Sequence, residues 1–176
     1  MTKRSGFTLV ELAVLILLLG ILAAAALPRL IERETRMHQA AVDDAYAGFA
    51  AGVSAFHAQW SDGGHSGARS DIAVFGAGNV DANARGWPVG TGDREILSGA
   101  EACVEVWQAM LQNPPTVATT TGAQYLASLQ GQVCTYDYQG DGLSRRVIYD
   151  ADSGFVRSYS RVPINVDRPR TYASRS

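Results

Sequence analysis

The feature that most constrains this 176-residue chain is an apolar stretch near its N-terminus. Residues 7–27 carry a single charge, Glu11. A helix of about 21 residues rises roughly 31 Å, which is close to the thickness of the hydrocarbon core of a bilayer. The stretch therefore predicts a membrane-spanning helix over residues 7–28.

The residues around this stretch predict its orientation. Lys3 and Arg4 precede it, and basic residues stay on the cytoplasmic side of a membrane, so the rest of the chain should be translocated. Two other interpretations stay open: a secretory signal cleaved within the small residues Ala23–Ala26, and a plain single-span anchor. Neither accounts for Glu11, because a carboxylate inside a bilayer is costly and needs a partner.

Gly6-Phe7-Thr8-Leu9-Val10-Glu11, followed by the apolar run, resembles the processing and assembly signal of type IV pilins and of type II secretion pseudopilins. The resemblance implies that a prepilin peptidase removes a leader of residues 1–6 by cutting after Gly6. It also implies methylation of the new amine on Phe7. Glu11 of one subunit would then neutralise the Phe7 amine of the next pilin subunit during assembly.

The helix is predicted to continue beyond the membrane as an amphipathic segment over residues 29–60. Its apolar residues recur mostly at intervals of three and four: Leu30, Met37, Val42, Ala45, Phe49, Val53, Phe56 and Trp60. Residues 7–60 would form one helix of about 54 residues, roughly 80 Å long. Gly20 and Pro28 weaken it and predict a soft point between them, as the resemblance also implies. The alternative is an ordinary tolerated glycine and proline.

Residues 61–94 contain eight of the 18 glycines and are predicted to be a Gly-rich connecting loop. Such a loop is either a contact surface or a solvated connection.

A head is predicted over residues 95–164. Ser98 and Glu101 form a capping box that opens a short helix through Gln112. That helix should pack through Cys103, Trp107, Met110 and Leu111. Three strands are predicted at 133–138, 146–150 and 155–162. The tail 165–176, from Asn165 on, has no apolar period and is predicted to be mobile.

These elements predict an α+β, pilin-like fold with the long helix packed under a small antiparallel sheet. Cys103 and Cys134 would lie in an oxidising compartment and are predicted to bridge, reduced buried thiols being the alternative. The bridge resembles the disulfide-bounded C-terminal region of type IV pilins. The carboxylates Asp137, Asp141, Asp150 and Asp152 fit either turn chemistry or a calcium site, which some pseudopilins have.

Composition and motifs exclude several functions. Only 18% of the residues are charged, the net charge is −2 and no run of like charges appears, which disfavours nucleic acid as a partner. His38, His57 and His65 lie outside any motif of a catalytic or metal site, so no enzyme, cofactor or metal is predicted. His38 and His57 are interpreted as surface or interfacial residues of the long helix.

Short patterns in the head resemble pilins of the mannose-sensitive haemagglutinin system. They are Trp87-Pro88-Val89, Trp107-Gln108, Pro114-Pro115-Thr116, Cys134-Thr135-Tyr136-Asp137-Tyr138 and Ile148-Tyr149 with Gly154-Phe155-Val156. The chain is therefore predicted to be a type IV pilus subunit, of a minor kind, for adhesion or motility. It would lie in the inner membrane before assembly and in an extracellular filament afterwards. The alternatives are a pseudopilin and a secreted or membrane-anchored periplasmic binding protein.

Overall fold

A computed structural model describes residues 9–64 and 66–160 of the chain, without the side chains of residues 25–32. The chain divides into two compact units, residues 1–40 and residues 41–176, and each is described by itself. The predicted leader 1–6, Phe7 and the tail 165–176 lie outside the described residues.

Helix α1 runs from Leu9 to Asp62, so the prediction of one long helix is confirmed. Its second half buries a stripe with the predicted spacing: Val42, Ala45, Phe49, Val53 and Phe56. Trp60 is half-buried. Met37 departs from the prediction because 65% of it is exposed, and the buried apolar residues of the described chain all lie beyond residue 40. The side chain of Leu30 is outside the description.

The predicted loop over 61–94 is wrong, because it contains a three-stranded antiparallel sheet. The strands are β1 (Arg69–Ile72), β2 (Val80–Ala82) and β3 (Pro88–Thr91), in that spatial order. Each has only three or four residues, too few for an alternating pattern to stand out from the surrounding glycines. Burial of Val80, Ala82 and Val89 gives the sheet its place in the core.

Helix α2 spans Ala100–Met110 and begins later than the predicted capping box requires. Gly99 is the N-cap residue, and no side chain caps the helix, so the proposed role of Ser98 is wrong. The reason is the backbone of Gly99, whose φ of 93° is readily adopted only by glycine and brings the chain into the helix one residue late. The buried face is largely as predicted: Ala102, Cys103, Val106, Trp107 and Met110.

The second sheet has five strands in chain order: β4 (Val117–Ala118), β5 (Tyr125–Gln130), β6 (Val133–Tyr138), β7 (Arg145–Asp150) and β8 (Phe155–Ser160). Strands β5 to β8 are antiparallel, and β4 is parallel to β5. The three predicted strands correspond to β6, β7 and β8. The prediction missed β5, because Tyr-Leu-Ala-Ser-Leu-Gln does not alternate apolar with polar residues.

The core forms where α1 meets the five-stranded sheet. The Phe49 ring stacks on Trp107 at 5.2 Å between centroids and meets Tyr136 edge-on at 5.5 Å. Tyr149, on the next strand, lies 5.7 Å from Phe49. Helix and sheet thus share one aromatic core, and the predicted α+β class is confirmed.

Candidate assembly site

The first part of α1 is an apolar helix whose side chains face solvent. Every residue from Leu9 to Ala24 is exposed. The exposed fraction is 84% for Leu9, 62% for Ile16 and 66% for Leu22. A continuous apolar surface of this kind marks a site of contact with another protein or with a membrane. Among the residues that the structure describes, no helix combines the length and hydropathy needed to cross a membrane.

Glu11 and Gly20 both lie on this helix. Glu11 is exposed and is the acidic residue of the first described turn. Apart from the backbone of its own helix, a Cβ atom at Gly20 would meet no described atom within 4 Å, so no packing contact among the described residues requires a glycine there. The backbone stays helical through Pro28. Melting of the Gly20–Pro28 soft point inside a filament therefore stays a prediction.

Cleavage after Gly6 and methylation of Phe7 also stay predictions, because both residues lie outside the described part of the chain. Pairing of the Phe7 amine with Glu11 stays a prediction for the same reason.

The predicted disulfide is confirmed. Cys103 of α2 and Cys134 of β6 are bonded, their Cα atoms are 5.6 Å apart, and both residues are fully buried. The buried hydroxyl of Tyr136 donates a hydrogen bond of 2.8 Å to the Cys103 carbonyl, which holds the helix to the same strand. The bridge thus fixes α2 against the sheet and closes the segment that contains β4 and β5.

The four aspartates proposed for turns or calcium have partners within the chain. Asp137 pairs with Arg146 at 3.1 Å, and Asp141 pairs with the buried Arg145 at 2.8 Å. Turn backbone also donates to two of the carboxylates. The Leu143 N–H donates to Asp141, and the Asp152 N–H donates to Asp150. Among the described residues, no group of three or more acidic, histidine or cysteine side chains is placed to hold a metal ion.

His57, interpreted as a surface or interfacial residue, is half-buried at a contact between two elements. Its ring stacks on Trp87 at 3.9 Å and lies nearly parallel to Trp60 at 5.6 Å. Its Nδ1 lies 3.1 Å from the Gly86 carbonyl, to which it donates. The stack joins the end of α1 to the β2–β3 turn, and the sequence could not show it because its members are 27 residues or more apart across the two elements.

Two buried polar residues in the region predicted as a loop hold the three-stranded sheet, and sequence reasoning missed both. Asp81 accepts hydrogen bonds from the N–H groups of Asp71 at 3.2 Å and Arg94 at 2.8 Å. Asn83 donates to the Ala151 carbonyl at 2.6 Å and so reaches the turn between β7 and β8. Asp and Asn side chains often form hydrogen bonds with nearby backbone groups, and this tendency is the one sequence signal that could have identified them.

Comparison with known proteins finds a match at the N-terminus. The family model described as the prokaryotic N-terminal methylation motif matches residues 1–27. The match covers about a sixth of the chain. The resemblance identified from Gly6 to Glu11 is thereby confirmed.

A relative of this type IV pilin-like chain is PilA5, the major component of the type IV narrow pilus of Thermus thermophilus. The two are 46% identical over 41 residues, which is 23% of this chain and 35% of the relative. The match thus spans about a third of the relative's length. No solved structure matches the chain. The finer resemblance of the head to haemagglutinin-type pilins stays a prediction.

Proposed function

We propose that this protein is a type IV pilus subunit that a prepilin peptidase processes and that assembles through its N-terminal helix. The observation that carries the proposal is the methylation motif over residues 1–27, continued by a helix whose side chains from Leu9 to Ala24 are all exposed. An apolar surface of this length needs a bilayer before assembly and other subunits afterwards. The disulfide-bonded head supplies the folded domain outside the membrane.

The proposed sequence of events starts in the inner membrane, with residues 7–28 spanning it and the N-terminus in the cytoplasm. Cleavage after Gly6 exposes the Phe7 amine, which is methylated. Glu11 of one subunit then pairs with the Phe7 amine of the next and sets their axial register. The filament is extracellular and serves adhesion or motility.

Likeness to a protein named as a pilus component supports a pilus over a secretion pseudopilus. We place the chain among minor subunits, because the Gly-rich composition of 61–94 and the arginine-bearing tail 165–176 would have to fit a dense lattice at every copy of a major one. Quantifying this protein against total pilin in sheared filaments tests that assignment. A chain that makes up most of the filament would contradict it.

Amine chemistry tests the processing step. Lys3 is the only lysine in the sequence, and it lies in the proposed leader. The processed, methylated chain would therefore contain no primary amine, whereas the unprocessed chain has Lys3. We expect intact mass spectrometry of the chain from membranes to show residues 7–176 with one added methyl group. A reagent specific for primary amines should leave that chain unmodified. A chain that begins near Leu27 would establish a secretory signal instead.

Variants of Glu11 test the assembly step. Glu11→Ala should leave membrane retention, cleavage and the head disulfide intact while lowering the ratio of protein in sheared filaments to protein in the inner membrane. Glu11→Gln should behave in the same way if the charge supplies the register. Glu34→Ala, at an exposed acidic position further along the same helix, is the matched control. Equal ratios in all four chains would contradict assembly through Glu11.

A further inference from the structure

A groove lies within the unit of residues 41–176, between the second half of α1, the turn that joins β1 to β2 and the last residues of α2. Its volume is about 890 Å³. A Cβ atom at Gly52 would collide with the Met110 carbonyl, so this glycine lets α2 end directly against α1. The floor of the groove along α1 consists of small residues: Gly48, Ala51, Gly52 and Ala55.

The β1–β2 turn, residues 73–79, forms another wall of the groove and is an apolar projection. Val74 lines the groove, and 84% of it is exposed. The neighbouring Phe75 ring packs edge-on against the buried Phe56 at 5.1 Å between centroids, which holds the turn beside α1. Val74 has a φ of 84°, a conformation that is strained for a β-branched residue. An exposed valine thus stands where glycine would fold without strain, and such strain is typical of functional positions.

Charge distinguishes this surface from the rest of the unit. The described residues that line the groove include none with a charged side chain. Residues 41–160 as a whole contain 13 acidic residues and 6 arginines, so two copies repel each other on average. Contact through the groove avoids that repulsion, because it brings no like charges together. An uncharged hollow beside an exposed apolar projection is typical of a surface for protein contact.

We propose that the groove binds the β1–β2 turn of a second copy of this chain, in a reciprocal pair. A two-fold axis makes a patch complementary to itself when a projection and a hollow lie side by side on it. Val74 of each copy would then enter the groove of the other.

The chemistry of the turn matches what the groove requires of its occupant. A charged side chain placed there would be buried without a partner among the uncharged lining residues, at a high cost. The turn is uncharged throughout, and its sequence from Ala73 to Asn79 is Ala-Val-Phe-Gly-Ala-Gly-Asn. A second copy therefore supplies both the projection that the groove can accept and the groove that its own projection needs.

Thiol cross-linking of the full chain in detergent tests the proposal. Ala73→Cys places an exposed thiol beside Val74, and the two native cysteines are bonded to each other. The control is Ile96→Cys, at a residue that is 60% exposed and precedes α2 at the end opposite the groove. With a short bifunctional maleimide we expect on the order of tenfold more cross-linked dimer from Ala73→Cys, because the contact raises the effective concentration of its thiols.

Three substitutions in the Ala73→Cys chain show whether the groove and the valine make the contact. Ala51→Asp should remove the excess of dimer, because it buries an unpaired charge in the groove. Ala58→Asp, at an exposed position of the same helix outside the groove lining, should keep it. Val74→Gly should lower the yield to that of Ile96→Cys while its unfolding midpoint stays equal or rises, since glycine relieves the strained φ. Misfolding could not then account for the loss.

Equal yields from Ala73→Cys and Ile96→Cys would overturn the proposal. A full yield in the Ala51→Asp or Val74→Gly chain would also overturn it, by assigning the association to other surfaces, such as the apolar N-terminal helices. An equal loss in the Ala58→Asp chain would overturn it as well, because the contact would then not be specific to the groove. The measurement needs no filament, so none of these results depends on whether the protein assembles into a pilus.

Discussion

Removing the Cys103–Cys134 bridge should destabilise the head by an amount that the structure allows us to estimate. The two cysteines are 31 positions apart. Cross-linking a loop of that size lowers the entropy of the unfolded chain by an amount worth about 3–4 kcal/mol. Because both residues are fully buried, Cys103→Ser alone would also bury a hydroxyl and leave a free thiol, each with its own cost.

The cleaner perturbation is therefore the double variant Cys103→Ala with Cys134→Ala. We expect its free energy of unfolding to fall by about 3–4 kcal/mol, with a steeper dependence on denaturant because the unfolded chain expands further without the cross-link. The assay is guanidinium unfolding of the full chain in detergent, followed by near-UV circular dichroism. That signal reports the ring cluster of Trp107, Phe49 and Tyr136.

Reductant provides the internal control. It should shift the unfolding midpoint of the wild type toward that of the double variant and leave the double variant unchanged. Equal midpoints for the oxidised wild type and the double variant would refute the argument that the bridge stabilises the head.

Three further perturbations test the core, the buried hydroxyls and the aromatic stack. Phe49→Ala should cost about 3–5 kcal/mol of unfolding free energy in the same assay, and Met37→Ala, at an exposed position of the same helix, should cost almost nothing. Burial raises the pKa of several tyrosines above the ordinary value near 10, so the unfolded chain loses these protons at a lower pH than the folded chain does. Stability should therefore be constant below about pH 10 and should fall above it. The loss should grow steadily as the pH rises above about 10, and flat stability in an alkaline titration would contradict it; the groups are Tyr125, Tyr136 and Tyr149. Gly86→Ala should lower the free energy of unfolding by about 2–5 kcal/mol, because its φ is +81° and the added Cβ would overlap the Trp60 ring. The control is Gly78→Ala, where φ is +80° but the space is open, so that only backbone strain is added. Similar thermal midpoints for the two variants would argue against a packed stack.

Local pattern was enough to predict the elements that are long or regular. The three- and four-residue spacing from Val42 to Phe56 identified the buried face of α1, and alternation identified β6. The methylation motif was readable from Gly6 to Glu11 because the signal consists of neighbouring residues. The disulfide was predictable because the chain has only two cysteines and a predicted oxidising location.

Short strands and long-range contacts were decided by the tertiary structure. Strands β1 to β3 have three or four residues each and are held by partners distant in sequence, such as the Asn83 bond to Ala151. The capping of α2 depended on one backbone angle at Gly99, which no residue pattern specifies.

The sequence by itself determined where an apolar helix, a processing signal and a pair of cysteines lie, because each is a property of residue type and spacing. Only the tertiary structure decided which surfaces face each other. It stacked His57 against two indoles, placed Asp81 and Asn83 in the core, and left β8 at the edge of its sheet. The physical reason is that burial and pairing energies belong to contacts between residues distant along the chain, whereas local patterns carry only the propensities of neighbours.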